Sequence, residues 1–299
     1  MQQVIIDIGK CTGCGVCVTI CPYRAIEVLD GMAEYILEDC FLCGQCQAVC
    51  PEDAVRLPAL ALNLELVTMV EKETTIPPGT TDPAELVSLM RSRRSCRKYL
   101  NKAVDLAMLE DLVKIGTTAP SGTNSQSWNF IILPTVDDVH VLGEMVADYY
   151  RKLNRLAENA FLRFIMKMIG RDSLGQYYRR YHDSVADALE EWDAKGTDRL
   201  FHGAVAAILV TGKKDASCPA EDALLATQNI LLAAHTMGLG SCLIGFVVEA
   251  MRREPEIRQQ LGINGGEEIY SVIALGYPAV NYLRPANRKP VVPRILKLT

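Results

Sequence analysis

Apolar positions in the first 57 residues come in short runs instead of long periods. Residues 4–7 (VIID), 25–29 (AIEVL), 34–37 (EYIL) and 54–57 (AVRL) each suit one strand of a small hairpin. After Pro58 the pattern lapses, and residues 71–83 (EKETTIPPGTTDP) gather Thr, Pro and Gly with no apolar period, which reads as a surface connection. Helical spacing begins there. Asp82, Pro83 and Glu85 fall at N-cap, N1 and N3, followed by Leu86, Leu89 and Met90 on one face. A second helix starts near Asp105, with Val104 and Leu109 placed as a hydrophobic staple.

Further along, Trp128 to Leu133 reads as a strand entering the core, and residues 201–210 (FHGAVAAILV) carry a buried-strand pattern. Through residues 223–239 Met and Leu recur on nearly every side of a helix, which predicts a central core element and a dimer contact. Gly238 suits its C-cap. Residues 161–169 (FLRFIMKMI), with Arg163, Lys167 and Arg171 at i, i+4 and i+8, predict a half-buried amphipathic helix. No run reaches the roughly 18 apolar residues of a membrane span.

A length of 299 residues exceeds what one core usually serves, so two domains are expected. Hydrophobic residues at 49% and charged ones at 22% suffice for real cores. The net charge of −5 argues against binding phosphate backbones, and no nucleic-acid partner is expected. The opening MQQVIIDIGKC shows no secretory pattern. Eleven cysteines then imply a reducing cytoplasm, where crowded thiols mean metal more often than disulfides.

Eight of these thiols form a repeat. Residues 11–22 (CTGCGVCVTICP) return as residues 40–51 (CFLCGQCQAVCP), so that Cys11, Cys14, Cys17, Cys21 and Pro22 map onto Cys40, Cys43, Cys46, Cys50 and Pro51, with Gly15 on Gly44. Three thiolates at C-x2-C-x2-C can hold three corners of a compact cubane; a zinc ribbon needs two separated knuckles and gains nothing from a third near cysteine.

This spacing resembles the bacterial two-cluster ferredoxin family over residues 1–57. The resemblance implies that Cys11, Cys14, Cys17 and Cys50 hold one 4Fe-4S cluster while Cys40, Cys43, Cys46 and Cys21 hold the second. Such a module shuttles single electrons and needs a user downstream.

Two later segments supply a second resemblance. The first helix ends in RSRRSCRKYL, five positive charges between Arg91 and Lys98, and the second is followed by APSGTNSQSWNFIIL, a polar turn leading into a strand. Together with residues 201–210, 226–245 and 268–278 in the same order, they are similar to the FMN-dependent nitroreductase family from about residue 84 to the end. The resemblance implies that Arg93, Ser95 and Arg97 clasp the FMN phosphate with Arg94 beside them, and that Pro120, Ser121, Gly122 and Asn124 approach the flavin from the partner of a homodimer. It places Gly245 at the flavin's reactive edge and a late basic contact at Arg288. The acidic residue that the family pairs with that glycine is absent, the chain reading Leu243, Ile244, Gly245, and Ser127 replaces a proline before Trp128.

The expectation is an α+β protein: a two-cluster ferredoxin-like domain over 1–57, a linker over 58–83, and an FMN-binding domain over 84–299 with a mainly antiparallel sheet. The second resemblance implies that residues 145–200, rich in Tyr and Phe, form a variable helical lid or dimer region. The function expected is an iron–sulfur flavoprotein oxidoreductase, working in an anaerobe, that passes electrons from clusters to FMN and reduces a small nitroaromatic, quinone or enone-like acceptor. Ferredoxin, flavodoxin or NAD(P)H would supply the electrons. Alternatives are a reductive dehalogenase, a flavin-fragmenting enzyme, or a non-catalytic electron carrier. No single residue stands out as catalytic. GLGSCLIG follows a helix and lacks a third spaced glycine, which argues against a dinucleotide fingerprint. His202 and His235 read as packing or dipole-compensating histidines, and Cys96, Cys218 and Cys242 as buried small hydrophobes.

Overall fold

Both cysteine motifs bend the backbone in the same places. In this computed structural model, which describes residues 3–37, 39–72 and 75–298, Gly15 and Gly44 are left-handed (φ 73° each) and N-cap α1 (Val16–Ile20) and α2 (Gln45–Ala48). Gly13 and Leu42, then Arg24 and Asp53, are also left-handed at matching positions. At Gly13 a side chain is impossible, because a Cβ would sit 2.0 Å from the Gly31 carbonyl oxygen.

Four strands cover the helices. β1 (Ile5–Ile6) pairs antiparallel with β4 (Val55–Arg56), and β2 (Ile26–Leu29) with β3 (Met32–Tyr35). The third strand begins earlier than the apolar run at 34–37 suggested. Asp30 and Gly31, with φ of 47° and 81°, form a two-residue turn that pairs Leu29 directly with Met32. Val4, Ile26, Ala33, Val55 and Leu57 form a small core with Cys17 and Cys46.

The connection after Pro58 is held down at one point. Asp111, fully buried, accepts hydrogen bonds from the backbone of Val67 (2.9 Å) and Thr68 (2.7 Å) and from the Thr68 hydroxyl (2.6 Å), and Lys114 donates to the Glu65 carbonyl at 2.6 Å. Burial opposes ionisation of Asp111, but the bonds from Thr68 and Val67 win and hold its carboxyl below the ordinary range. Asp111→Ala should therefore cost about 1–3 kcal/mol and expose residues 63–70 to protease, read by thermal melting and limited proteolysis. In the parent protein this tether is intact above the usual carboxylate pKa and is lost as pH falls through the lowered value.

Beyond it, α3 (Pro83–Ser92) and α4 (Leu106–Gly116) start at Asp82 and Asp105, whose carboxylates accept from Ala84 and Ala107. A four-stranded antiparallel sheet follows, in the order β5 (Trp128–Leu133), β6 (Ala206–Lys213), β8 (Glu267–Gly276), β7 (Gly240–Leu243). One face packs α4 and α9 (Pro219–Thr236) through Leu109, Leu112, Ile208, Ile230 and Ile273. The other packs α5 (Val136–Glu158) and α10 (Gly245–Arg253) through Leu142, Val146, Leu209, Val247 and Met251. Covering on both faces explains why β6 is apolar without alternation.

Residues 145–200 complete α5 and form α6 (Ala160–Met168), α7 (Ser173–Arg180) and α8 (His182–Lys195); α11 (Pro255–Gln260) precedes β8. The α6 helix is half-buried, with Leu162 and Met166 lining a cavity. Phe161, Phe164, Met168 and Ile169 are exposed, while Arg163 turns back to the Ala157 carbonyl and lies 3.9 Å from the Tyr178 ring centroid. On α3, Leu86, Val87 and Met90 are likewise exposed. Cys96 and Cys242 are buried as expected, but Cys218 is exposed because it sits at the N-cap of α9, outside the core. Among the described residues no helix is long and apolar enough to cross a membrane.

Candidate functional site

The eight repeated thiols line two cavities, and each cavity draws on both motifs. One is walled by Cys11, Cys14, Cys17 and Cys50, the other by Cys21, Cys40, Cys43 and Cys46. Backbone amides aim at the sulfurs in matched pairs: Gly13 to Cys11 (3.4 Å) with Leu42 to Cys40 (3.3 Å), and Ala25 to Cys21 (3.3 Å) with Ala54 to Cys50 (3.3 Å). Among the described residues no three Cys, His, Asp or Glu side chains lie close enough to share one metal ion. Each set of four thiols instead lines a cavity, the arrangement a polynuclear cluster uses. Burial pushes the Cys46 thiol up to about 11 and raises Cys17 as well, so their thiolates need a bound cation beside them. The residues present fit two 4Fe-4S clusters.

The basic run lies extended along the outer edge of β7. Cys96 donates its amide to the Ser241 carbonyl at 2.9 Å, Ser95 bridges Ser241, and Leu100 donates to the Tyr277 carbonyl at 2.8 Å. Ala286 donates to the Arg91 carbonyl at 2.9 Å, which brings the late segment alongside. Burial, then the charge of Arg288, lowers the Arg93 pKa, so these two cations crowd each other. Arg97 and Ser95 both act on the Cys242 thiol, next to Leu243 and Gly245, while Arg94 stacks 5.5 Å from the Tyr282 ring centroid. Among the described residues none of Arg93, Arg94, Arg97 and Arg288 forms an ion pair. Arg93 is half-buried and repelled by Arg288, while Arg94, Arg97 and Arg288 are exposed, and such unneutralised guanidinium groups on one edge suit an anion.

The turn at 119–127 is elsewhere. Pro120, Ser121, Gly122 and Asn124 precede β5, at the opposite edge of the sheet from Gly245. Three strand spacings separate those edges, roughly 14 Å. One chain brings Arg93, Ser95, Arg97, Gly245 and Arg288 together and leaves the turn apart. Thr123, Asn124 and Gln126 are all left-handed, a costly conformation held by buried Asp222, which accepts from Gly122 (2.9 Å) and from the Ser125 hydroxyl (3.2 Å).

Above Gly245 opens a cavity of about 940 Å³. Tyr149, Tyr150, Tyr177, Tyr181 and Phe246 wall it, with Arg97, Arg180 and His202 at its polar points. Tyr150 donates to the Phe246 carbonyl (2.9 Å) and Tyr177 to Asn154 (2.6 Å), so these rings serve as walls. His202 is the site residue that sequence reasoning missed, having read it as a packing histidine. Asp198 accepts from the amides of Leu200 (2.9 Å), Phe201 (2.8 Å) and Gly203 (2.8 Å), which fixes His202 at φ 60° against the cavity. Burial and then the Arg97 charge lower its pKa, which favours the neutral ring. The Asp four positions earlier and the Gly just after were the local marks of that turn.

An α+β domain with a cationic clasp on one sheet edge, preceded by a module with two thiol-lined cavities, defines a redox protein built for a cluster pair and an anionic cofactor. Residues 90–277 match the model of the nitroreductase family, and residues 3–57 match that of the 4Fe-4S dicluster domain. The chain belongs to the nitroreductase family, with a 4Fe-4S dicluster domain joined in front. It is 27% identical to an Archaeoglobus fulgidus protein named as an NADH dehydrogenase/NAD(P)H nitroreductase, over 65% of this chain and 86% of that one. Iodotyrosine deiodinase 1 of Pongo abelii is 23% identical, over 69% of this chain and 66% of its own. Among solved structures, a nitroreductase with bound FMN from Bacteroides fragilis superposes with a TM-score of 0.51 at 22% identity, covering 71% of this chain and 99% of that one. The shared fold is the α+β sheet domain described above.

Proposed function

We propose that this protein is a homodimeric iron–sulfur flavoprotein that takes electrons singly through two 4Fe-4S clusters and uses FMN to reduce a small organic acceptor. The observation that carries the reading is the pairing of two interleaved thiol-lined cavities with an unneutralised arginine clasp in one chain. Arg93, Ser95, Arg97 and Arg288 would hold the phosphate, Gly245 would leave room at the ring, and Arg94 would support the clasp. Pro120, Ser121 and Gly122 would complete the site from the partner, since within one chain they lie across the sheet, while the Asn124 amide is already engaged with the Phe41 and Leu42 carbonyls. Exposed Leu86, Val87 and Met90 on α3, with Val291, Val292, Ile295 and Leu296 near the end, are apolar surface suited to a second copy.

FMN, when bound, collects electrons one at a time and returns them in pairs. The chain's own part is placement. Tyr149, Tyr177, Tyr181 and Phe246 would stack a planar acceptor, Arg97 and Arg180 favour one bearing negative charge, and His202 offers a hydrogen bond. With Leu243 and Ile244 where the family has its acidic residue, product protonation falls to solvent. An external ferredoxin, flavodoxin or NAD(P)H supplies the electrons.

Anaerobic purification followed by an absorption spectrum, iron and sulfide counts and an acid-released flavin assay tests this reading; colourless or zinc-filled protein would overturn it. Reductive dehalogenation is a second reading, favoured by the aromatic, cationic cavity and the similarity to the deiodinase. Offering a nitrophenol and an iodophenol to the reduced holoprotein separates the two.

A further inference from the structure

Among the described residues, the hydrogen bonds that cross from residues 3–57 to the sheet domain come from one side chain. Asn124 donates through Nδ2 to the Leu42 carbonyl at 2.8 Å and to the Phe41 carbonyl at 3.3 Å. Phe41 and Leu42 lie between Cys40 and Cys43, two thiols of the second cavity, and the Phe41 ring packs on Tyr23 (4.7 Å between centroids), which lines the same cavity. The first cavity has no such contact among the described residues.

The cost of this junction argues that it is used. Asn124 sits at φ 52° between two other left-handed residues, braced by the Asp222 carboxylate. Asparagine is among the few residues that tolerate this backbone and also present two amide donors. Strain so heavily braced belongs to functional positions. The turn lies on the β5 edge while the arginine clasp of the same chain lies beyond β7, so a cluster docked at this turn is remote from its own chain's clasp.

Resting on the flavoprotein reading above, we propose that Asn124 is a positioning residue that docks the second cluster's loop onto the turn, so that each chain's ferredoxin module delivers electrons to the flavin clasped by its partner. Each transfer moves one electron out of a reduced second cluster into the flavin; two transfers and solvent protons complete the flavin's reduction, and the external donor restores the cluster. Electron tunnelling falls steeply with distance, which makes docking of one particular cluster decisive.

Hydrogen exchange on the holoprotein tests the dock without turnover. Asn124→Gly keeps the left-handed backbone and deletes the donor, while Asn124→Asp keeps the shape and turns an acceptor toward two acceptors. Both should speed exchange in residues 40–46 about fivefold and leave residues 11–17 unchanged. Unchanged exchange at 40–46, or an increase confined to 11–17, would overturn the dock.

The route is tested with a mixed dimer of one Cys43→Ser chain and one Arg93→Ala/Arg97→Ala chain, each separately tagged. Flavin is then held only by the Cys43→Ser chain, and the intact second cluster only by the other. Bleaching of that flavin after photoreduction at the parental rate supports delivery between chains; bleaching slowed about tenfold or more assigns it within a chain and overturns the route. Protein that assembles clusters but never takes up FMN would instead end the flavoprotein reading, with the exchange result still standing.

Discussion

Replacing Cys50 by serine is expected to empty the cavity of the other cysteine motif. Cys50 closes the repeat at residues 40–50, yet it lines the space walled by Cys11, Cys14 and Cys17. Iron in Cys50→Ser should fall by about half, and adding Cys14→Ser should remove no more, since both belong to one cluster. Adding Cys43→Ser instead should remove nearly all of it. If each motif held its own cluster the two double variants would exchange outcomes. Stability should follow iron. The module's apolar core is five small or medium side chains besides its cysteines, too little to hold about 57 residues without the clusters. Iron and sulfide counts with amide exchange at 3–57 read both effects.

Loss of flavin is the second large effect expected, from Arg93→Ala and from Arg97→Ala. Each removes charge-assisted hydrogen bonds worth about 1.5–3 kcal/mol, weakening FMN roughly 10- to 100-fold. Arg93 carries a further sign that a merely structural arginine would not. Burial and the neighbouring Arg288 disfavour its charge, so without an anion the substitution relieves repulsion. Flavin-free Arg93→Ala should melt at or above the parent's temperature, while with excess FMN it should melt below. Calorimetry with and without FMN measures both; full flavin occupancy in either variant would count against the clasp.

Much of this was legible along the chain because the chemistry is local. Cluster spacing, the helix starts at Asp82 and Asp105, and the buried run of β6 all depend on residues a few positions apart. Even the repeat carries its own backbone code, with left-handed residues at matching positions. Where local reading fell short, a tertiary neighbour was responsible. The α6 pattern gave a half-buried helix without saying which apolar residues would turn in; Leu162 and Met166 line the cavity while Phe161 and Phe164 are exposed. His202 looked like packing because nothing in its own segment reveals the cavity that Tyr149, Tyr177 and Phe246 close over it.

By itself, then, the sequence determined that eight thiols sit at cluster spacing, that a basic strip follows the first helix, and that an α+β sheet domain lies behind a small module. Spacing and periodicity encode the first two directly; the sheet domain is legible through the resemblance of its segments to the nitroreductase family. Only the tertiary structure decided that the turn and the arginine strip occupy opposite edges of the sheet, and that Asn124 meets Phe41 and Leu42 across more than eighty positions of chain. Contacts between distant segments arise from how whole faces pack, and no short stretch of residues carries that information.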